Sequence, residues 1–444
     1  MPCLTFRTWV LGIVSCAILS FLNQFFTYRQ NALSISSVSA QILVLPAGKL
    51  MAAYLPRKSI QIPATKWSFS LNPGPFNMKE HVLITIFANS GSNTVYPVNI
   101  VTIVKAFYGR GINLIAAMML SQSTQMLGYG WAGIFRRFLV DSPYMWWPSN
   151  LVQVSLFQAL HDVEVRPKRG QTRLQFFFLV FISSFAYYIV PNYLFPSITA
   201  LSFVCWIWKD SVTAQITGSD RHGLGIGSFA LDWSTVSSFL LSPLATPCFA
   251  IVNTMVGFFI VIYILIPTAY WTNSYDARKF PIISSHVFAS DGSRYNVTRV
   301  MNQSTFEFNL HGYDSYGKIN LSIFFIYTCG LSFGTLTATK SHVALFYGRH
   351  LDKFNNVHTR LIKKNYEAVP QWWFHALLMI VIGLSILTCE GFGGQLLLPY
   401  WGVILAALLA MLFTLPIGVI TATTNQVSDR LTAKLCLRNE CLTC

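Results

Sequence analysis

The chain has 444 residues, of which 53% are hydrophobic and only 11% charged, with a mean hydropathy of +0.49. A water-exposed surface normally carries about a quarter of its residues charged, so this composition excludes an ordinary soluble domain. The net charge of +15 does not point to nucleic acid, because no basic-aromatic module accompanies it. The basic residues instead sit in short loops between apolar runs, as the positive-inside rule requires of cytoplasmic loops.

The first apolar run, residues 8–28, is too long for the apolar part of a signal peptide. No small-residue cleavage site follows it, and it reads as a retained helix. Residues 71–91, LNPGPFNMKEHVLITIFANSG, interrupt the apolar pattern. Pro73 and Pro75 prevent residues 72–76 from being helical, and Gly74 permits backbone geometry closed to other residues. Asn77 is then placed as an N-cap with Glu80 three residues on, a capping-box pair. The helix is expected to begin near Met78 and to end in Asn89-Ser90-Gly91. A second apolar piece follows at 100–108, so the two form either one span broken in its middle or a re-entrant hairpin. Such a helix start aims backbone donors and a positive dipole end at a cavity. Glu80 reads equally as a plain cap, and His81 equally as a hydrogen-bonded residue or as part of a proton relay.

Residues 112–135 and 142–160 each approach or exceed the roughly 20 residues that span hydrocarbon. In the first, GYGWAGIF places glycines where helices can pack closely. In the second, SPYMWWPSNLVQVSLFQALH, Trp146 and Trp147 precede Pro148, with Asn150 and Gln153 on one face. This is either an interfacial aromatic belt or the wall of a cavity. The basic loop HDVEVRPKRGQTR (161–173) is placed in the cytoplasm. Pro191 and Pro196 divide residues 174–208 into two helices around PNYLFP. In FVCWIWKDSVTAQ, Lys209 and Asp210 form either a surface pair or a functional one. Asp232 opens a further stretch as a helix N-cap. Within 233–275, residues 237–241 end a dipping segment and 248–270 form a full span.

The polar segment 271–318 faces outside as an extracellular loop. It carries the sequons Asn296-Val-Thr and Asn302-Gln-Ser, which accept glycans only on the luminal side. Residues 319–339 and 368–389 are further spans, separated by the second basic loop (346–368), which is also cytoplasmic. Glu390 is a single carboxylate just after an apolar helix, at the interface or functional. The whole reads as an all-α polytopic membrane protein with about ten to eleven membrane segments, several broken or re-entrant.

No nucleophile elbow, zinc-protease motif or phosphate-cradling loop is present, so the reading is not an enzyme. Nine cysteines give no framework, and no metal site is assigned, neither to Cys436, Cys441 and Cys444 nor to His342, His350 and His358.

Five stretches, NPGPFNMKEHVLITIFANSG, SPYMWWPSNLVQVSLFQALH, FVCWIWKDSVTAQ, FALDWSTVSSFLLSPLATP and KKNYEAVPQWWF, resemble the oligopeptide transporter family. The resemblance is to its plant peptide-transporter branch, whose NPG motif corresponds to Asn72, Pro73 and Gly74. It runs from residue 4 to 426, a single transporter domain (1–426) that is a partial version of the family's larger fold. It implies a multi-pass plasma-membrane symporter importing short peptides of four or five residues, with glutathione or metal-peptide chelates as further substrates. The proton gradient would supply the energy, with no cofactor. The yellow-stripe-like branch, which carries metal–nicotianamine complexes, lacks the NPG stretch and ranks second.

Asn72, Pro73, Gly74, Asn89, Trp147, Asn150 and Gln153 are the expected substrate path. Glu80, His81, Asp210 and Glu390 are the proton-coupling candidates. Expected partners are a small peptide, protons and the bilayer, not nucleic acid; oligomeric state is unassigned. Members begin with an acidic hydrophilic tail and continue through helices carrying a KIPPR signature, and neither is found in these residues. Residues 427–444 read as a divergent, cysteine-containing tail produced by a misread exon or a frame change, and the chain as a C-terminally truncated form. A non-transporting partner of longer relatives is therefore the alternative function.

Overall fold

The computed structural model describes residues 3–426, apart from 30–32, 58, 62–67, 93–94, 163–169, 221, 232–244, 303–307, 349–359, 362–363, 365–368, 394 and 397. Asp232, the dipping segment 237–241, most of both basic loops and the cysteine-containing tail lie outside the described residues. The chain divides into two units, one of residues 1–100 with 150–170 and one of 101–149 with 171–444.

The first unit is built on α1 (Phe6–Thr27), α2 (Ser37–Tyr54) and α3 (Met78–Ser92). α1 and α3 run parallel, since Arg7 meets Glu80 at one end and Cys16 meets Gly91 farther along. α2 runs the other way. Ala40 packs with Ala88, Val44 with Ile84, and the Asn72 amide reaches the carbonyl of Ala52. The α1–α3 approach depends on Gly91, where a Cβ would lie 2.4 Å from the Cys16 carbonyl oxygen. Buried Asn23 fastens the far end, donating to the Ile35 and Ser92 carbonyls and accepting from the Ile35 N–H. A short hairpin, β1 (Ser59–Gln61) with β2 (Ser68–Ser70), separates α2 from α3. The chain enters the second unit within α4 (Tyr96–Tyr108) and returns within α6 (Pro148–His161), after α5 (Leu114–Leu139).

α3 runs on through Asn89-Ser90-Gly91, one residue past the expected break, and α4 starts at Tyr96 rather than at 100. Run 142–160 differs more. Its helix, α6, has only 14 residues, about 21 Å against a hydrocarbon core of about 30 Å. The cause is local: Trp147 has a φ of 49°, and Pro148 starts the helix afresh.

The second unit contains α7 (Arg173–Ile189), the short α8 (Phe203–Ile207) and α9 (Val212–Gly218), then α10 (Cys248–Phe259), α11 (Ile266–Trp271) and α12 (Leu310–Tyr316). It ends with α13 (Ile323–His342), α14 (Gln371–Glu390) and α15 (Tyr400–Thr424). Trp131, Phe135, Leu378, Ala407 and Val419 form a core between α5, α14 and α15. The glycines of GYGWAGIF serve this contact, for a Cβ at Gly133 would collide with the Phe374 ring.

Among the described residues, five helices are long and apolar enough to cross a membrane: Phe6–Thr27, Arg173–Leu194, Cys248–Trp271, Gln371–Glu390 and Tyr400–Thr424. No residue of α7 is buried, although its sequence is RLQFFFLVFISSFAYYI. An apolar surface of that extent belongs against lipid. α2 and α15, with Pro46 and Pro416 inside them, are helices that the apolar-run reading does not single out.

Proline acts in two ways. Pro191 sits in a π-helical turn, Val190–Leu194, that ends α7, and Pro196 opens a 3-10 turn, so 174–208 is divided around PNYLFP as expected. Pro267 instead follows a π-helical stretch, Ile260–Leu265, which accommodates its missing donor. The span expected over 248–270 is continuous.

The segment expected as an extracellular loop is folded. β5 (Val287–Phe288) pairs with β6 (Asn320–Leu321), while Ala289, Tyr295 and Val300 form a small core covered by Tyr313 and Tyr316. Two further strands, β3 (Leu201–Ser202) and β4 (Ser228–Phe229), pair elsewhere in this unit.

Gly91→Ala is expected to lower the unfolding free energy of the purified chain by about 1–3 kcal/mol, because the Cys16 carbonyl cannot yield as a side-chain tip would. Denaturant titration in detergent would measure this loss.

Candidate functional site: a clamped elbow and a histidine pair

The Asn-Pro-Gly turn brings residues 72–77 to the start of α3 as a tight elbow. Gly74 has a φ of +146°, which a side chain rarely tolerates. Asn77 Oδ1 accepts from the Glu80 N–H at 2.9 Å, and Glu80 Oε2 accepts from the Asn77 N–H at 3.1 Å. The capping box read from the residues is therefore formed.

Glu80 is more than a cap. It is fully buried and paired with Arg7, whose Nη2 donates to its two oxygens at 3.0 and 3.1 Å. Thr5 Oγ1 donates to Oε1 at 2.5 Å. The other guanidinium nitrogen of Arg7, Nη1, donates to the Gly74 carbonyl at 2.9 Å and Asn72 Oδ1 at 3.3 Å. Asn72 in turn donates to the carbonyls of Ala52 and Leu55, both at 2.8 Å. One guanidinium thus holds the elbow, the α3 start and, through Asn72, the end of α2. Holding a carboxylate with one nitrogen and a backbone carbonyl with another is what the planar guanidinium allows and lysine does not.

His81 points elsewhere. It is fully buried, with Nε2 2.7 Å from the Gln41 carbonyl and Nδ1 3.0 Å from Nε2 of His161 at the end of α6. A carbonyl only accepts, so Nε2 of His81 carries hydrogen. With both rings neutral, His161 donates to His81 Nδ1. A proton added to His161 can therefore be passed to His81 along one hydrogen bond. Phe76 and Phe157 wall the pair, with ring centroids 5.7 and 5.0 Å from that of His81. The Gln41 side-chain amide is also fully buried, and neither its nitrogen nor its oxygen has a partner among the described residues.

Of the expected path residues, the elbow gathers Asn72 and Gly74 at the clamp, while Pro73 is exposed. Asn89 is half-buried near the far end of α3; Asn150 is exposed and Gln153 half-buried on α6. Trp147 lies in the other unit, where its indole donates to the Leu139 carbonyl and its N–H to the Ala422 carbonyl, both at 2.8 Å. Glu390 Oε1 accepts from the Tyr400 N–H at 3.2 Å, capping α15. Asp210 is exposed in the turn between α8 and α9. Arg7, Thr5, Gln41 and His161 are the residues sequence reading missed. For Arg7 the one available signal is a cation directly before an apolar helix.

Asn72→Ala removes two donors' bonds and an Arg7 acceptor from a buried position. It is expected to cost about 1–3 kcal/mol of stability, read by thermal unfolding in detergent.

The model of the OPT oligopeptide transporter protein family matches residues 3–435, past the Gln426 at which the motif resemblance stops. Oligopeptide transporter 1 and Oligopeptide transporter 5 of Arabidopsis thaliana are each 62% identical over 438 residues, which is 96% of this chain. Oligopeptide transporter 7 of the same plant is 53% identical, again over 96% of this chain and 56% of its own length. The chain spans about 58% of the length of the first two relatives. No solved structure matches it. With the family model covering nearly the whole chain, the protein belongs to the OPT oligopeptide transporter family, whose members are transporters rather than enzymes.

Proposed function

We propose that the protein imports short oligopeptides across the plasma membrane in company with protons, and that the His81–His161 pair carries the proton. The observation that carries this reading is the continuous hydrogen-bonded line from His161 through His81 to the Gln41 carbonyl, beside the clamped elbow. Glu80 is not the carrier in this account, because Arg7, Thr5 and Asn77 already occupy its oxygens. The elbow backbone and the path-facing residues of α3 and α6 would shape the peptide route. Peptides of four or five residues are the substrate class, with glutathione and metal-peptide chelates as further members of it. The names of the Arabidopsis relatives support peptide transport.

His161 adjoins the basic loop that the positive-inside rule places in the cytoplasm. The pair therefore lies where an inward-moving proton is released, which requires transfer from His81 Nδ1 to His161 Nε2, the reverse of the direction described above along the same hydrogen bond. The folded lobe between α11 and α13 then faces outside. There Asn296 is exposed and its Oδ1 accepts from the Thr298 hydroxyl at 2.5 Å, bringing the two key sequon side chains together. Asn302 is exposed as well.

The chain reconstituted in liposomes should take up a labelled tetrapeptide faster under an inward proton gradient, and an uncoupler should abolish the acceleration. His81→Gln and His161→Gln should each remove the gradient dependence while peptide binding persists. Uptake indifferent to the uncoupler and to external pH would overturn the proton coupling. Expressed in plant cells, the chain should lose a glycosidase-sensitive gel shift on Asn296→Gln and Asn302→Gln together. A glycan on a sequon placed in the 346–368 loop would reverse the orientation.

A further inference from the structure

A polar cavity of about 440 Å³ lies within the second unit. It forms where the chain stops being regular helix: after the π-helical turn that ends α7, the 3-10 turn Pro196–Thr199 and the β3–β4 pairing hold the backbone extended. Broken helices of this kind survive in a membrane protein only beside protein or a water-filled path, and transporters place solute sites at them. Ser197, Ser202, Cys205, Trp206, Asp220 and His222 line the cavity. The size suits a small ligand or one end of a larger one.

Its charge is one-sided. Asp220 is the only carboxylate in the lining, and no Lys or Arg lines it among the described residues. The Asp220 side chain is exposed, and its Oδ1 accepts from the Ser228 hydroxyl at 3.4 Å. Trp206 presents an exposed indole to the same space, a surface favourable to an ammonium group or an apolar side chain. The floor is firm: the Ser202 hydroxyl is buried and donates to the Gly218 carbonyl at 2.6 Å. Leu224, just beyond, packs with Ile266, Ala269 and Ala277 at the base of the folded lobe. In the orientation proposed above, the end of α7 that leads into this cavity lies on the outer side, from which an imported solute arrives.

We propose that this cavity receives the free α-ammonium end of a peptide, with the Asp220 carboxylate as its counter-ion and the Trp206 ring as its wall. The inference rests on the peptide reading given above and adds which end of the substrate is recognised, and where. A carboxyl-terminal mode would need a cation in the lining, for which the described residues offer the His222 imidazole alone, beside a carboxylate and hydroxyl oxygens.

The test is binding of radiolabelled tetra-alanine to the whole 444-residue chain in lipid nanodiscs, compared with its N-acetylated and C-amidated forms. N-acetylation should weaken binding about ten- to a hundredfold, the range of a charge-assisted hydrogen bond, and C-amidation should change it little. Asp220→Asn should weaken the free-amine peptide by a similar factor and leave the acetylated one unchanged, while Asp220→Glu restores most of the loss. Because Asp220 is exposed, these variants are expected to fold; an unchanged elution profile and melting temperature would check this. Equal binding of free and acetylated peptide, or an Asp220→Asn loss that is the same for both, overturns this inference and leaves the peptide reading intact. Binding of none of the three peptides overturns the peptide reading and this inference with it.

Discussion

A guanidinium and a carboxylate buried together, Arg7 against Glu80, hold the first unit in register. Both have lost their water, a desolvation cost that their attraction offsets only when the geometry is good and the remaining polar atoms are partnered. Here the carboxylate accepts from Arg7, Thr5 and the Asn77 N–H, and the guanidinium reaches the Gly74 carbonyl and Asn72, while Arg7 Nε is buried without a partner among the described residues. A buried pair of this kind adds little net stability compared with apolar residues of the same volume. What it adds is specificity, because any other register of α1 against α3 would strand two charges in a medium of low dielectric.

The consequence for chemistry is a division of labour between adjacent residues. Glu80 is committed to structure, which leaves its neighbour on the helix to face the other way. His81 meets Gln41 and His161, two groups contributed by α2 and α6. The clamp therefore fixes the position of an imidazole pair that can hold hydrogen in more than one arrangement. For the proton coupling proposed above, a clamped elbow beside a protonatable pair is a suitable base.

Much of this was legible in the residues where the signal is local. The capping box at Asn77 and Glu80, the start of α3 at Met78 and the division at PNYLFP all follow from neighbours within a few positions, and the structure has them. Arg7 was not legible, because its partner is 73 residues away and nothing in the intervening sequence records the pairing. His161 was hidden for the same reason, at the end of a stretch read for its tryptophans. Trp147 has contacts that its place before a proline does not announce: its indole and its N–H donate to the Leu139 and Ala422 carbonyls. Residues 142–160 misled through composition, since apolar content does not reveal that Pro148 shortens the helix to 14 residues. The lobe between α11 and α13 was invisible because its buried apolar residues, among them Phe280, Ile282, Phe288, Tyr295 and Val300, are spaced without a helical or strand period.

The account stands on Arg7 and Glu80 acting as one unit, and a double-mutant cycle on unfolding free energy tests that directly. Arg7→Met and Glu80→Met should each cost about 3–5 kcal/mol, because each strands a buried charge. The double variant should recover much of that loss, giving a coupling of about 2 kcal/mol or more. Strictly additive losses would show that the two residues do not depend on each other, and would contradict the clamp.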